Sequence, residues 1–257
     1  MSGLLEVYDL SAGYEKNKPI IRNITFEVKM GDLVGIVGPN GCGKTTLLRS
    51  LAGILPLMAG SVRFRSQDIR EMKRREVAQK IAFVQQLMEP IVGLSVEEMI
   101  LMGRTAHFDR FVFEGEEDFD VVRWAIDALK VGHVSHKKVA ELSGGEFQRV
   151  AIARALAQEA RILLLDEPVS HLDLRFQIKI LRLLRKMRRS RTIVATFHDL
   201  ALASRFCKNI ILMKNGEMIA EGSPEKVLTQ ENLWKAYKIK AEVKFEKARN
   251  RRSYVLV

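Results

Sequence analysis

Apolar and polar positions alternate at short period in the first third of the chain, where Leu4 to Asp9, Ile24 to Val28 and Leu33 to Val37 read as strands. Turn signals lie between them at Gly13 to Pro19 and at Met30-Gly31-Asp32. A helix is predicted after Gly43, and a further strand pair at Ser61 to Phe64 and Ile81 to Val84. From Leu94 to about Ala157 the period turns helical, with Gly103, Gly115 and Gly132 as punctuation, as in an inserted helical lobe. Strand and helix then alternate through Ile162 to Asp166, Leu174 to Arg189, Thr192 to Thr196, Leu200 to Phe206, Ile210 to Met213 and Glu217 to Glu221. Such alternation predicts a mostly parallel sheet with helices on its faces. Pro224 opens a last helical segment, Glu231 to Tyr237, and two strands follow at Lys240 to Phe245 and Ser253 to Leu256.

Composition narrows the class. With 257 residues, 47% hydrophobic and 28% charged, the chain is an ordinary globular one with a large core, which excludes a disordered or collagen-like polymer. Apolar runs such as Ile162 to Leu165 fall far short of the roughly 20 residues that cross a bilayer. Met1 to Leu10 lacks a basic region followed by an apolar core, so no cleaved secretory signal is expected and the chain should stay in the cytoplasm. Cys42 and Cys207 have no metal-type spacing and read as two reduced thiols. The net charge is +11, and it is concentrated: Leu174 to Arg191 holds eight basic residues and no acid, and Pro224 to Val257 holds nine basic and four acidic ones. Charge alone admits nucleic acid, an anionic lipid surface or a phosphate-bearing ligand.

The chemistry is carried by motifs. Gly38-Pro39-Asn40-Gly41-Cys42-Gly43-Lys44-Thr45-Thr46 follows a strand, precedes a helix, and fits G-x-x-x-x-G-K-[ST] at every fixed position. Its glycines let backbone N–H groups turn around phosphate oxygens. Lys44 would reach the β and γ phosphates, and the Thr45 hydroxyl would ligate Mg²⁺. Arg161 to Glu167 reads as a buried strand ending in two carboxylates, where an open α/β sheet holds its ligand. Asp166 suits the Mg²⁺ role of a Walker-B aspartate, and Glu167 can act as general base on the attacking water. Leu142-Ser143-Gly144-Gly145-Glu146 leads into the helix Phe147 to Ala157, where Ser143 can cap a second helix terminus with anion-binding N–H groups. One nucleotide cannot obviously use two such termini from one chain.

At these residues the chain closely resembles an ATP-binding-cassette (ABC) ATPase over essentially its whole length, and Leu142 to Glu146 is the segment that separates that family from other P-loop proteins. The resemblance implies an α/β fold: a P-loop NTPase (RecA-like) core with an antiparallel β subdomain and an inserted helical signature subdomain. In one ABC ATPase domain, residues 1–86 and 158–223 would form the core with the β subdomain, 87–157 the helical subdomain and 224–257 a short C-terminal extension. It also implies two cassettes closing head to tail on ATP and Mg²⁺. Ser143, Gly144, Gly145 and Glu146 of one copy would then meet the ATP on the other copy's Lys44, with Asp173 of Ser170-His171-Leu172-Asp173 acting across the dimer. Tyr14 matches the aromatic that stacks on adenine. Gln86, preceded by Gln85 where the family usually has proline, matches the glutamine that senses Mg²⁺ and the attacking water. His198 resembles the switch histidine at the γ phosphate.

Within the family, Leu94 to His107 and Asp68 to Ala82 look like segments of iron chelate (siderophore), haem and cobalamin importer cassettes. Such a subunit would work at the cytoplasmic side of the membrane with integral permease subunits and, indirectly, a solute-binding protein. Leu87, Met88, Ile91, Val92, Met99 and Met102 would give the permease an adaptable apolar contact. Cassettes for other substrates, imported or exported, are the alternative. Nucleic acid is not an expected partner, because the basic face reads more readily as membrane-directed.

Overall fold

The computed structural model describes residues 3–86, 93–108, 115–170, 172–239, 241–246 and 251–256. The chain begins with β1 (Leu5–Ala12) and β2 (Ile21–Val28), then enters β3 (Leu33–Val37) and α1 (Lys44–Leu51). It continues through β4 (Leu57–Phe64), the two-residue β5 (Gln67–Asp68), a 3₁₀ turn, α2 (Arg74–Lys80) and β6 (Ile81–Val84). The helical lobe comprises α3 (Val96–Leu101), α4 (Glu116–Leu129) and α5 (Gly144–Ala157), with 3₁₀ turns between them. The alternating part follows as β7 (Ile162–Leu165), α6 (Leu174–Met187), β8 (Thr192–Phe197), α7 (Leu200–Phe206), β9 (Asn209–Lys214) and β10 (Glu217–Gly222). Short α8 (Pro224–Val227), α9 (Gln230–Tyr237), β11 (Ala241–Glu246) and β12 (Arg251–Leu256) close the chain.

These strands form a six-stranded sheet in the order β10-β9-β3-β8-β7-β6 and a four-stranded antiparallel sheet in the order β2-β1-β4-β5, with β11 and β12 paired as a hairpin. In the large sheet all neighbours run parallel except β10 against β9. Its central strands are buried on both faces, so they read as near-continuous apolar runs: every residue of β3, β7 and β8 is buried, with Thr192 and Thr196 of β8 the polar exceptions. Pleating sends alternate side chains into two separate cores. Leu33, Val37, Leu163, Leu165, Ile193 and Ala195 pack with the helical lobe, α6 and α7. Val34, Ile36, Ile162, Leu164 and Val194 pack with α1 and the antiparallel sheet.

Two expectations are corrected here. Ser61 to Phe64 and Ile81 to Val84 do not pair: β4 joins β1 and β5, whereas β6 lies beside β7 in the other sheet, Ile81 opposite Ile162. Met99 is also no contact surface for a permease. It is 1% exposed, inside the core of the helical lobe. Met102 is half-buried in the turn that follows, and Leu87, Met88, Ile91 and Val92 lie outside the described residues.

Candidate active site

Four segments of the site leave from the same edge of the large sheet. Val84 lies opposite Leu165, Leu165 opposite Ala195, and Val37 opposite Phe197, so the loops after β6, β7, β8 and β3 converge at the carboxyl ends of parallel strands. There they bound a cavity of about 430 Å³ lined by Asn40, Gly41, Gly43, Lys44, Thr45, Thr46, Gln86, Glu167 and His198, with Ile20 from the antiparallel side.

The loop after β3 takes the shape its glycines permit. Gly41 and Gly43 have φ of 74° and 100°, which L side chains rarely adopt. At Gly38 a Cβ would meet the Met213 carbonyl at 2.3 Å and the Cys42 Sγ at 2.7 Å. Cys42 is thus a buried packing group beneath the loop, and burial pushes its thiol pKa up, which disfavours the reactive thiolate. Lys44, 6% exposed, donates from Nζ to the carbonyls of Gly38 (2.9 Å) and Pro39 (3.1 Å), so its ammonium is held at the loop.

Behind Lys44, Thr45 Oγ1 donates to Asp166 Oδ2 at 2.7 Å, and Thr196 Oγ1 donates to Asp166 Oδ1 at 2.8 Å. The same Thr196 oxygen accepts the Glu167 N–H at 2.7 Å. One hydroxyl at the end of β8 therefore fixes the Asp166 carboxylate and the backbone of Glu167 in the β7 loop. Glu167 itself has φ of 49°, a left-handed conformation that costs a non-glycine residue about 1–3 kcal/mol and persists only where its surroundings enforce it. Its carboxylate, largely buried, is bound on one oxygen by Gln86 Nε2 and on the other by His198 Nε2. The neighbouring Gln85 is turned away, accepting from Arg49 at 3.3 Å. Arg49 also donates to the Tyr14 hydroxyl at 3.2 Å and lies 5.9 Å from the centre of that ring, which is 53% exposed.

Ser143, Gly144, Gly145 and Glu146 do not line this cavity; they form the start of α5. Ser143 caps the helix, accepting the Glu146 N–H at 3.4 Å, and its own N–H and hydroxyl donate to Glu146 Oε2 at 3.0 and 2.6 Å. The Ser143 hydroxyl and then its N–H hold the Glu146 carboxyl down to about 2, with His133 a lesser contributor. Asp173 likewise caps α6, accepting the Phe176 N–H at 2.9 Å. Thr196, Ile20 and Arg49 are site residues that sequence reasoning did not single out; only the position of Thr196, two residues before His198, was a usable signal.

Residues 21–170 match the family described as ABC transporter. The chain belongs to that family. As an ABC cassette it is an ATP hydrolase, and its fold is the P-loop NTPase core with antiparallel and helical additions. The iron(3+)-hydroxamate import ATP-binding protein FhuC of Bacillus subtilis is 35% identical over 241 residues, 93% of this chain and 89% of that protein. A solved structure described as a metal-chelate type ABC transporter, inward-facing, superposes with a TM-score of 0.83 at 29% identity, covering 99% of this chain and 97% of that one. The dimeric structure of a bacterial ABC transporter cassette superposes with a TM-score of 0.78 at 29% identity, covering 86% and 98%. Among the described residues, no helix of the cassette is long and apolar enough to cross a membrane.

Proposed function

We propose that this cassette drives an importer of iron chelates, foremost iron siderophores, with haem and cobalamin next, and that it works as a head-to-tail pair beneath a membrane permease at the cytoplasmic face. The observation that carries the mechanism is the Glu167 carboxylate, tied to Gln86 and His198 at the cavity formed by the P-loop. The names of the hydroxamate importer and the metal-chelate transporter support the substrate class. The pair is supported by the signature cap at Ser143, whose residues lie outside the cavity of their own chain, and by the relative solved as a dimer.

In this reading Lys44 and the N–H groups of residues 40 to 46 bind the phosphates, and Tyr14 is the exposed platform for adenine. Thr45 and Asp166 present two oxygens 2.7 Å apart, a hard donor set suited to Mg²⁺, which binds through one or two protein oxygens and completes its shell with phosphates and water. When bound, Mg²⁺ neutralises charge on the β and γ phosphates. Glu167 takes the proton of the attacking water, Gln86 fixes the carboxylate and His198 stabilises charge on the departing phosphoryl group. Ser143, Gly144 and Gly145 of the partner subunit close over the γ phosphate, with Glu146 and Asp173 of the partner subunit alongside.

Glu167→Gln keeps the size and loses the base. The expected result is intact ATP binding, turnover reduced about 10²–10⁴-fold, and a stable dimer with ATP and Mg²⁺ in sedimentation velocity. Normal turnover would reject Glu167 as base, and a monomer at saturating ATP would reject the pair. Lys44→Ala should lose nucleotide binding itself. The substrate is tested by reconstituting the cassette with its genomic neighbour permease and following iron–hydroxamate uptake. ATP-driven uptake of an unrelated solute alone would overturn the chelate reading.

A further inference from the structure

A second concave site lies away from the nucleotide cavity, between the end of α6 and α7. It encloses about 690 Å³ and is lined by Arg182, Arg185, Lys186, Arg188, Arg189 and Arg205, with the nearly buried Phe206 beneath. We propose that this groove binds a compact ligand carrying several phosphate groups.

Charge balance is the first argument. No lining residue is acidic, and none of the six cations forms an ion pair among the described residues. Some cations elsewhere meet carboxylates, as Arg104 meets Asp118 and Lys208 meets Asp32, but what distinguishes the groove is that six cations share one concavity with no acid among them. Six neighbouring positive charges repel one another unless an anion lies among them. Ligand chemistry is the second. Five of the six are arginine, whose planar fork pairs two N–H groups with two oxygens of a phosphate and stays charged at any physiological pH. Size is the third, since about 690 Å³ is room enough for a small molecule. Neutralising six cations in that space requires several charges on few atoms, and linked or clustered phosphates supply them.

The groove is independent of the P-loop, so the test keeps the P-loop filled. Inorganic tripolyphosphate is titrated calorimetrically into the full chain saturated with ADP and Mg²⁺. One additional site is expected, weakening as salt is raised. The double substitution Arg185→Ser/Arg189→Ser should lower its affinity at least about ten-fold while leaving ADP affinity and melting temperature unchanged. No binding with the P-loop filled, binding that the double substitution leaves intact, or equal binding of citrate would overturn the proposal. Vesicles containing phosphatidic acid separate the sources: capture that tripolyphosphate competes away assigns the phosphates to a lipid headgroup, and no capture assigns them to a free ligand. Binding of duplex DNA or RNA without tripolyphosphate binding would also overturn it.

Discussion

Arg104 offers the sharpest test of how the helices of the lobe are held together. Its guanidinium side chain is 8% exposed and serves three acceptors at once: Asp118 Oδ1 through Nε at 2.8 Å, and the Ala157 carbonyl and Glu159 Oε2 through Nη1 at 2.7 and 2.8 Å. These acceptors belong to the start of α4 and to the end of α5 and the turn after it, so one side chain fastens two helices of the lobe beside β7. Asp118 reports the strength of the contact. Burial raises its carboxyl pKa, yet Arg104 and the Gly115 N–H more than reverse this and hold it below the usual range. Arg104→Ala would leave the shielded Asp118 without its cation and the Ala157 carbonyl without its donor. Breaking a buried pair by removing one partner costs about 3–5 kcal/mol. The exposed Glu159 adds little. At roughly 2–4 °C per kcal/mol for a domain of this size, the melting temperature should fall by about 6–20 °C. Arg104→Lys should recover only part of the loss, because one ammonium lacks the planar fork that reaches all three acceptors. Thermal unfolding followed by circular dichroism decides the matter. A fall under about 2 °C, well below what the loss of a buried pair predicts, would show that Arg104 does not fasten the lobe.

Other expectations follow from single contacts. Gly103→Ala should destabilise the same junction, because a Cβ there would meet the Arg154 carbonyl at 2.3 Å; unchanged urea unfolding would contradict this. Thr196→Val keeps the shape of the side chain but removes the hydroxyl that serves Asp166 and the Glu167 N–H. It should cost about 1–3 kcal/mol and lower kcat more than it raises the KM for ATP, as steady-state kinetics will show. Glu146 lies at about 2 in the folded chain against an ordinary 4.5, so folding favours its carboxylate. That contribution is complete above pH 4.5 and disappears as pH falls through about 2. Denaturant unfolding across this range should therefore show the gap between the wild type and Ser143→Ala narrowing on acidification, and a constant gap would separate Ser143 from the titration of Glu146.

The legible parts of this protein were those whose information is local. The strands β3 and β7 announce themselves because a strand buried on both faces is near-continuously apolar, with β8 departing from this at Thr192 and Thr196, and the P-loop because its glycines and lysine are close in sequence. The helix α2 was harder to read. It buries no residue fully and is held at its start by the Glu76 carboxylate, which accepts the Lys73 N–H at 3.0 Å. The false pairing of Ser61 to Phe64 with Ile81 to Val84 arose because a short apolar run does not say which sheet will take it. Met99 looked like a docking residue for a related reason: an apolar position on a short helix faces either core or partner, and only tertiary packing chooses. Arg104 was silent because its partners lie 14 to 55 positions away in the chain, and Thr196, whose partners lie 29 to 30 positions away, was marked only by its place two residues before His198. The segment Leu94 to His107, identified by resemblance to importers, has a structural explanation as well. Arg104 fastens the lobe, and His107 Nε2 makes a 2.8 Å hydrogen bond with the Gln158 carbonyl.

All four site loops depart from one edge of the large sheet, which leaves the opposite edge free of the residues assigned to the nucleotide and useful to the experimenter. Arg161 lies there, exposed, just before β7. Both native thiols are shielded, Cys42 at 3% and Cys207 at 7% exposure. A cysteine placed at position 161 would thus be a selective attachment point for a fluorophore, remote from the phosphate cavity. Distances between two such labels would then test whether one cassette approaches another during turnover, with little background from the two shielded thiols.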